Sequence, residues 1–130
     1  MNPVVHFELP FENLERAMRF YAEAFSWKTH ALGPSMGDYV LLTTAESDIK
    51  RGTPAGAING GMFPKTATGP LRTPAIVIAV DDIEDAMNAV RDAGGEVLGE
   101  PHLIPNYGRY VTFVDTEGNR NSMLQPSAMP

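Results

Sequence analysis

Leu14-Glu15-Arg16-Ala17-Met18 returns 69 residues later as Ile83-Glu84-Asp85-Ala86-Met87, and Ala24 returns as Ala93. Of the pairs Leu14/Ile83, Glu15/Glu84, Ala17/Ala86, Met18/Met87 and Ala24/Ala93, four are identities, and all five keep the same helical phase. A repeat at fixed spacing decides the fold before any single element does. In the first copy, Leu14, Ala17, Met18, Tyr21 and Phe25 make one apolar face, which predicts a helix over about 13–25. Asn13 is its N-cap, and Glu15 sits in the first turn, where the helix dipole favours negative charge. In the second copy the face is Ile83, Ala86, Met87, Val90 and Ala93, capped from Asp81 or Asp82 and stopped by Gly94-Gly95.

Outward from each helix, the same order of strands is predicted. Val4–Leu9 is β-branched and aromatic and is expected to end at Pro10. Trp27–Leu32, Tyr39–Thr44 and Ala57–Phe63 follow the first helix, with Gly33-Pro34 turning the first of these into the second. Pro74–Val80 is an apolar strand, and Glu96–Gly99, Arg109–Asp115 and Arg120–Gln125 follow the second helix, the last two joined by a turn at 116–119. At an offset of 62, Asn59 meets Asn121 and Pro64 meets Pro126. The polar stretch 46–56 reads as a loop and 65–73 as a linker. The prediction is an α+β fold in one domain over 1–130, built of two βαβββ repeats at about 3–64 and 74–126. Their curved mixed sheet is expected to wrap a cleft.

Strand alternation then sorts the side chains. His6 and Glu8 point one way, and Val5, Phe7 and Leu9 the other. The apolar set suits the helix side, so His6 and Glu8 are expected to face the cleft. Composition limits what such a cleft serves. Hydrophobic residues are 43% and charged residues 20%, an ordinary globular balance that excludes disorder. A net charge of −6 argues against nucleic-acid and anionic-membrane binding. The absence of cysteine removes disulfides, thiolate metal sites and cysteine nucleophiles. No apolar run approaches the roughly 20 residues of a membrane helix. The opening Met1–His6 lacks a basic leader followed by an apolar stretch, so a cytoplasmic protein without a signal peptide is expected. The glycine-rich Ile58-Asn-Gly-Gly lacks the Lys-Ser/Thr of a P-loop, and Gly94-Gly95 ends a helix where phosphate binding needs a helix start.

The pieces His6-Phe-Glu-Leu-Pro, Arg19-Phe-Tyr21, Phe25-Ser-Trp27-Lys28, Ile58-Asn-Gly-Gly-Met62, Ala93-Gly-Gly95 and Phe113-Val-Asp115-Thr-Glu-Gly118-Asn119 span nearly the whole chain. Together they resemble the vicinal oxygen chelate superfamily, the glyoxalase I, bleomycin resistance and ring-cleaving dioxygenase group, and within it the small glyoxalase-like members. The resemblance implies the paired βαβββ fold, a homodimer and, in the enzymes of the group, a metal held at four strand positions. The first of those positions falls on His6, fifteen residues before Tyr21, and its repeat mate on Ala75. The last falls on Ser122, seven residues after Asp115, and its mate at offset 62 on Gly60. Only one of the four is a strong ligand, whereas a stable site takes about three or four. The expectation is therefore no metal and no cofactor, with His6 and Glu8 as the pair through which a weak divalent site would form.

The leading expectation is a protein that binds a small organic molecule in an apolar, aromatic-containing cleft. One alternative is a lyase or isomerase acting on a carbonyl compound, with His6 and Glu8 as acid–base residues or partial metal ligands. Another is a dimeric drug-sequestering protein. Candidate ligand contacts are Tyr39, Tyr107 and Tyr110, which offer a ring and a hydroxyl, and Met62, an adaptable apolar lining or ordinary core. Asn59 either contacts ligand or satisfies backbone at a strand bend. Arg109 can pair with a carboxylate, and Ser122 completes the set.

Overall fold

The computed structural model describes residues 1–45, 57–69 and 71–127. The predicted polar loop at 46–56 lies outside the described residues, as does Pro70 of the linker. The elements run β1 (Val4–Phe11), α1 (Leu14–Phe25), β2 (Lys28–Ala31), a 3-10 turn (Pro34–Met36), β3 (Val40–Thr43) and β4 (Gly60–Pro64). They continue with β5 (Ala75–Ala79), α2 (Ile83–Asp92), β6 (Glu96–Ile104), β7 (Gly108–Val114) and β8 (Arg120–Pro126). The βαβββ order occurs twice, as the repeat predicts. The chain divides into two units, one of residues His6–Pro74 and one of Ala75–Pro130 together with Met1–Val5. The N-terminal segment joins the later unit, where the Ala79 amide donates to the Pro3 carbonyl at 2.9 Å.

Each unit has the same mixed strand order, β2-β3-β4-β1 in one and β6-β7-β8-β5 in the other. The first strand of each repeat lies parallel to its last, and the middle strands are antiparallel. Helix caps repeat as well. Asn13 Oδ1 accepts from the Arg16 amide and Asp82 Oδ1 from the Asp85 amide, both at 2.9 Å. Each satisfies an N–H that the first helical turn leaves without a partner.

One unit packs Phe11, Val40, Leu42 and Met62 beneath α1, with Phe7, Leu9, Leu14, Ala17, Met18, Tyr21 and Trp27 around them. The other packs Val80, Ile83, Met87, Val111, Phe113 and Met123 beneath α2. Phe25, predicted on the buried face of α1, is 60% exposed. It lies at the last position of the helix, which Ser26 ends in the left-handed conformation with φ of 60°.

Strand boundaries differ where proline and bulges intervene. β1 runs through Pro10 to Phe11. The Lys65 amide donates to the Phe11 carbonyl at 2.9 Å, so the polar groups of Phe11 face β4 and those of Pro10 face away. The missing N–H of Pro10 therefore costs no bond to β4. β6 extends past Gly99 to Ile104 because a register shift between Leu98 and His102 absorbs the break in pattern.

Register corrects the offset of the end strands. Glu8 pairs with Gly61 and its repeat mate Val77 with Ser122, so β4 maps onto β8 at 61, not 62. Met62 then meets Met123, and Ser122 meets Gly61 in place of Gly60. The same logic maps β3 onto β7 at 71, because Val40 pairs with Met62 and Val111 with Met123. Gly37-Asp-Tyr39-Val40 is thereby the counterpart of Gly108-Arg-Tyr110-Val111.

Candidate functional site

Strand alternation puts His6 and Glu8 on one face of β1, and Phe7 and Leu9 on the α1 side. Neighbours in register share a face, so Glu8, Gly61, Leu41 and His30 form one row across the four strands. Gly60 belongs to the opposite face, where a Cβ would lie 2.6 Å from the Phe7 ring. Gly61 faces the His6 side, where a Cβ would overlap the Tyr39 hydroxyl. The phenol lies over the place a side chain at 61 would fill.

Tyr39 enters from the residue before β3. Its backbone is fixed on both sides, the amide donating to Met36 O at 3.2 Å and the carbonyl accepting from Leu32 N at 2.9 Å. Gly37, with φ of 64°, closes the turn that delivers it. The Tyr39 hydroxyl then donates to Glu8 Oε2 at 2.9 Å and meets His6 Nε2 at 2.9 Å. A phenol has one proton to give. Because it goes to the carboxylate, Nε2 carries the hydrogen of the imidazole and donates to the phenol oxygen. In the neutral ring this tautomer makes His6 Nδ1 the accepting nitrogen. Glu8 is buried at 6% exposure, and His6 and Tyr39 are half-buried. Burial lowers the His6 pKa from its ordinary value, and the nearby Glu8 charge pulls it partly back up. The net lowering favours the neutral ring.

The residues do not fit a metal centre of the kind the resemblance implies. Ala75 and Gly61 offer no donor, and Ser122 is wholly buried with its hydroxyl 3.2 Å from that of Thr112. His6 and Glu8 both direct their donor atoms at the phenol oxygen. Among the described residues, no group of three or more His, Cys, Asp or Glu is placed to hold a metal ion.

Within one unit the structure brings together His6, Glu8 and Tyr39 of the candidate residues. Met62 is 1% exposed in the core beneath α1, which corrects its assignment as a ligand contact. Asn59 Oδ1 accepts from the Thr44 amide at 2.7 Å and the Ala45 amide at 3.0 Å, so it terminates β3 instead of facing a ligand. Arg109 pairs with Glu84 at 2.6 Å on the surface. Tyr107 is 49% exposed in the turn before β7. Tyr110 is half-buried, its ring 5.4 Å from that of His102. Ser122 has no exposed surface. The link from Tyr39 to His6 and Glu8 is what sequence reasoning missed. The recurring Gly-x-Tyr-Val at 37–40 and 108–111 was the available signal.

The family model described as Glyoxalase/Bleomycin resistance protein/Dioxygenase superfamily matches residues 4–123. A glyoxylase-like domain-containing protein of Didymella fabae is 32% identical over 123 residues, covering 89% of this chain and 88% of the relative. Among solved structures, methylmalonyl-CoA epimerase of Mycobacterium tuberculosis superposes with a TM-score of 0.69 at 16% identity, covering 96% of this chain and 88% of that one. A Streptomyces coelicolor methylmalonyl-CoA epimerase variant with 2-nitronate-propionyl-CoA gives 0.72 at 17% identity, covering 99% and 97%. These structures share the fold. Among the described residues, no helix is long and apolar enough to cross a membrane.

Proposed function

The chain belongs to the Glyoxalase/Bleomycin resistance protein/Dioxygenase superfamily, and from that premise we propose that it binds a small carbonyl compound against the His6 face and moves a proton on it. The observation that carries this reading is the hydrogen-bonded chain His6–Tyr39–Glu8, with 2.9 Å at both links. A strand face built only to hold an apolar ligand has no use for a buried carboxylate, a phenol and an imidazole joined in series, because each polar group costs desolvation unless paired.

The chain of groups supports one reaction class. His6 Nδ1 takes the proton from the carbon beside the carbonyl. Nε2–H passes its proton to the Tyr39 oxygen, and the Tyr39 proton passes to Glu8. Imidazole and phenol end neutral, and Glu8 ends as the acid, ready to return the proton by the reverse path. General acid–base transfer of this kind contributes about 10²–10⁴-fold. Epimerisation, the activity named for the two structural neighbours, is also removal and return of a proton at carbon. An acyl-CoA thioester with an acidic α-hydrogen is accordingly a first compound to test, beside a 2-oxoaldehyde.

Hydrogen–deuterium exchange at the α-carbon of such compounds, followed by proton NMR in heavy water, tests the proposal. Wild type accelerates exchange, and His6→Ala loses the acceleration by about 10²-fold or more while the compound still raises its melting temperature. Stabilisation of both proteins with no His6-dependent exchange would instead make this a binding protein alone. A ligand at about 100 times its Kd stabilises by about 2.7 kcal/mol, enough to register in that control.

A further inference from the structure

The Tyr39 hydroxyl stands at the point on which two strong metal-ligating atoms converge. His6 Nε2 and Glu8 Oε2 each lie 2.9 Å from it. A divalent cation held through both of these atoms would lie about 2.0–2.2 Å from each and would compete with the hydroxyl for them. We infer that Tyr39 is a positioning residue that closes the His6–Glu8 pair to divalent cations, its proton serving where a cation would otherwise bridge the two donors, and that Gly61 is the residue that makes room for it.

Two features support this beyond the distances. A hydroxyl is a donor toward Glu8 and an acceptor from His6 at once, so it bonds to both groups without adding charge. Any Cβ at 61 would occupy the volume of the Tyr39 hydroxyl. The glycine at position 61, which offers no donor of its own, is therefore what admits the phenol. At the counterpart positions of the other repeat, Ala75 and Val77 replace the donors and Ser122 occupies the place of Gly61. A tyrosine persists there at 110 with no such pair beneath it. The inference does not depend on any reaction being catalysed.

Cobalt(II) titration followed by visible absorption, with circular dichroism as a check on folding, tests it on three proteins. Wild type is expected to bind cobalt only weakly. Tyr39→Phe keeps the ring over Gly61 and removes only the hydroxyl. It is expected to bind one equivalent of cobalt at least about tenfold more tightly than wild type, a difference of about 1.4 kcal/mol. The double variant His6→Ala/Tyr39→Phe is expected to lose that gain. Gly61→Ala provides a second route, since its methyl group displaces the phenol while leaving the hydroxyl in the protein. Nitrogen-15 NMR of the imidazole should then show His6 released from the Nε2–H tautomer. Equal cobalt affinity in wild type and a folded Tyr39→Phe would overturn the inference, as would an unchanged His6 tautomer in a folded Gly61→Ala.

Discussion

The two repeats share a backbone plan and diverge on one strand face. In the first, β1 presents His6 and Glu8 beneath the Tyr39 hydroxyl. In the second, β5 presents Ala75 at 6% exposure and Val77 at 2%, beside the wholly buried Ser122. The helices diverge in the opposite sense. α2 buries Ile83 and Met87, whereas no residue of α1 is fully buried, and Phe20 and Phe25 are 55% and 60% exposed. The repeat that carries the polar chain thus has the less buried helix, and the repeat without it has the more completely buried one. Duplication gives two copies of a scaffold, and the more buried helix and the polar cluster fall in different copies.

The largest effect expected from that division is on stability. Ile83→Ala removes a side chain with no exposed surface and should cost about 2–5 kcal/mol. Its repeat mate Leu14 is only half-buried, and Leu14→Ala should cost clearly less. Denaturant unfolding midpoints measure both, and equal losses would break the comparison. Next comes activity. His6→Ala should slow α-proton exchange by about 10²-fold, whereas Tyr110→Phe, the counterpart of a change at Tyr39, should alter it less than about twofold. An equal loss in the two variants would place chemistry in both repeats.

The caps test where the repeats agree. Asn13→Ala and Asp82→Ala should each cost about 1 kcal/mol, and thermal melts of both should shift by similar amounts. pH then separates the units again. His6 is held below its ordinary 6.5, chiefly by burial, with Glu8 opposing. The unfolded chain therefore takes up this proton at a higher pH than the folded one. The contribution is fully present above 6.5 and is lost as pH falls through and below it. Unfolding midpoints measured from about pH 8 down to about pH 5 should fall less steeply in His6→Gln than in wild type. Ala75→Gln in the other repeat should leave the pH slope unchanged. The smallest effect belongs to the surface pair Arg109–Glu84. Both side chains are substantially exposed, at 40% and 58%, and Glu84→Gln should change stability by no more than about 0.5 kcal/mol.

Much of this was readable from the residues. The 69-residue spacing gave both helices and both N-caps, because a helix face and a cap are local patterns. Alternation along Val5–Leu9 separated His6 and Glu8 from Phe7 and Leu9, because strand period does not depend on tertiary partners. The register of the end strands was not readable in the same way. Asn59 and Asn121 align by eye at 62, yet Asn59 holds the amides after β3 and Asn121 holds the Ile76 amide on β5. They are unlike in role, and only the pairing of Glu8 with Gly61 and of Val77 with Ser122 fixes the offset at 61. Tyr39 offers a ring and a hydroxyl to a ligand when read from the sequence alone. Its hydroxyl reaches Glu8 and His6 across 31 and 33 residues of chain by crossing a glycine, and the recurring Gly-x-Tyr-Val marks the tyrosine without naming those partners. Met62 stays open between a ligand lining and the core in the sequence, because a methionine beside two glycines fits either, and only its pairing with Leu9 and Val40 assigns it to the side beneath α1.

The central claim is that Tyr39 joins His6 to Glu8 with its proton directed at the carboxylate. Nitrogen-15 NMR of the His6 ring in the wild-type protein near neutral pH reads this directly. The account predicts a neutral imidazole with hydrogen on Nε2 and none on Nδ1. A ring with hydrogen on Nδ1, or one averaging freely between the two tautomers, would contradict it.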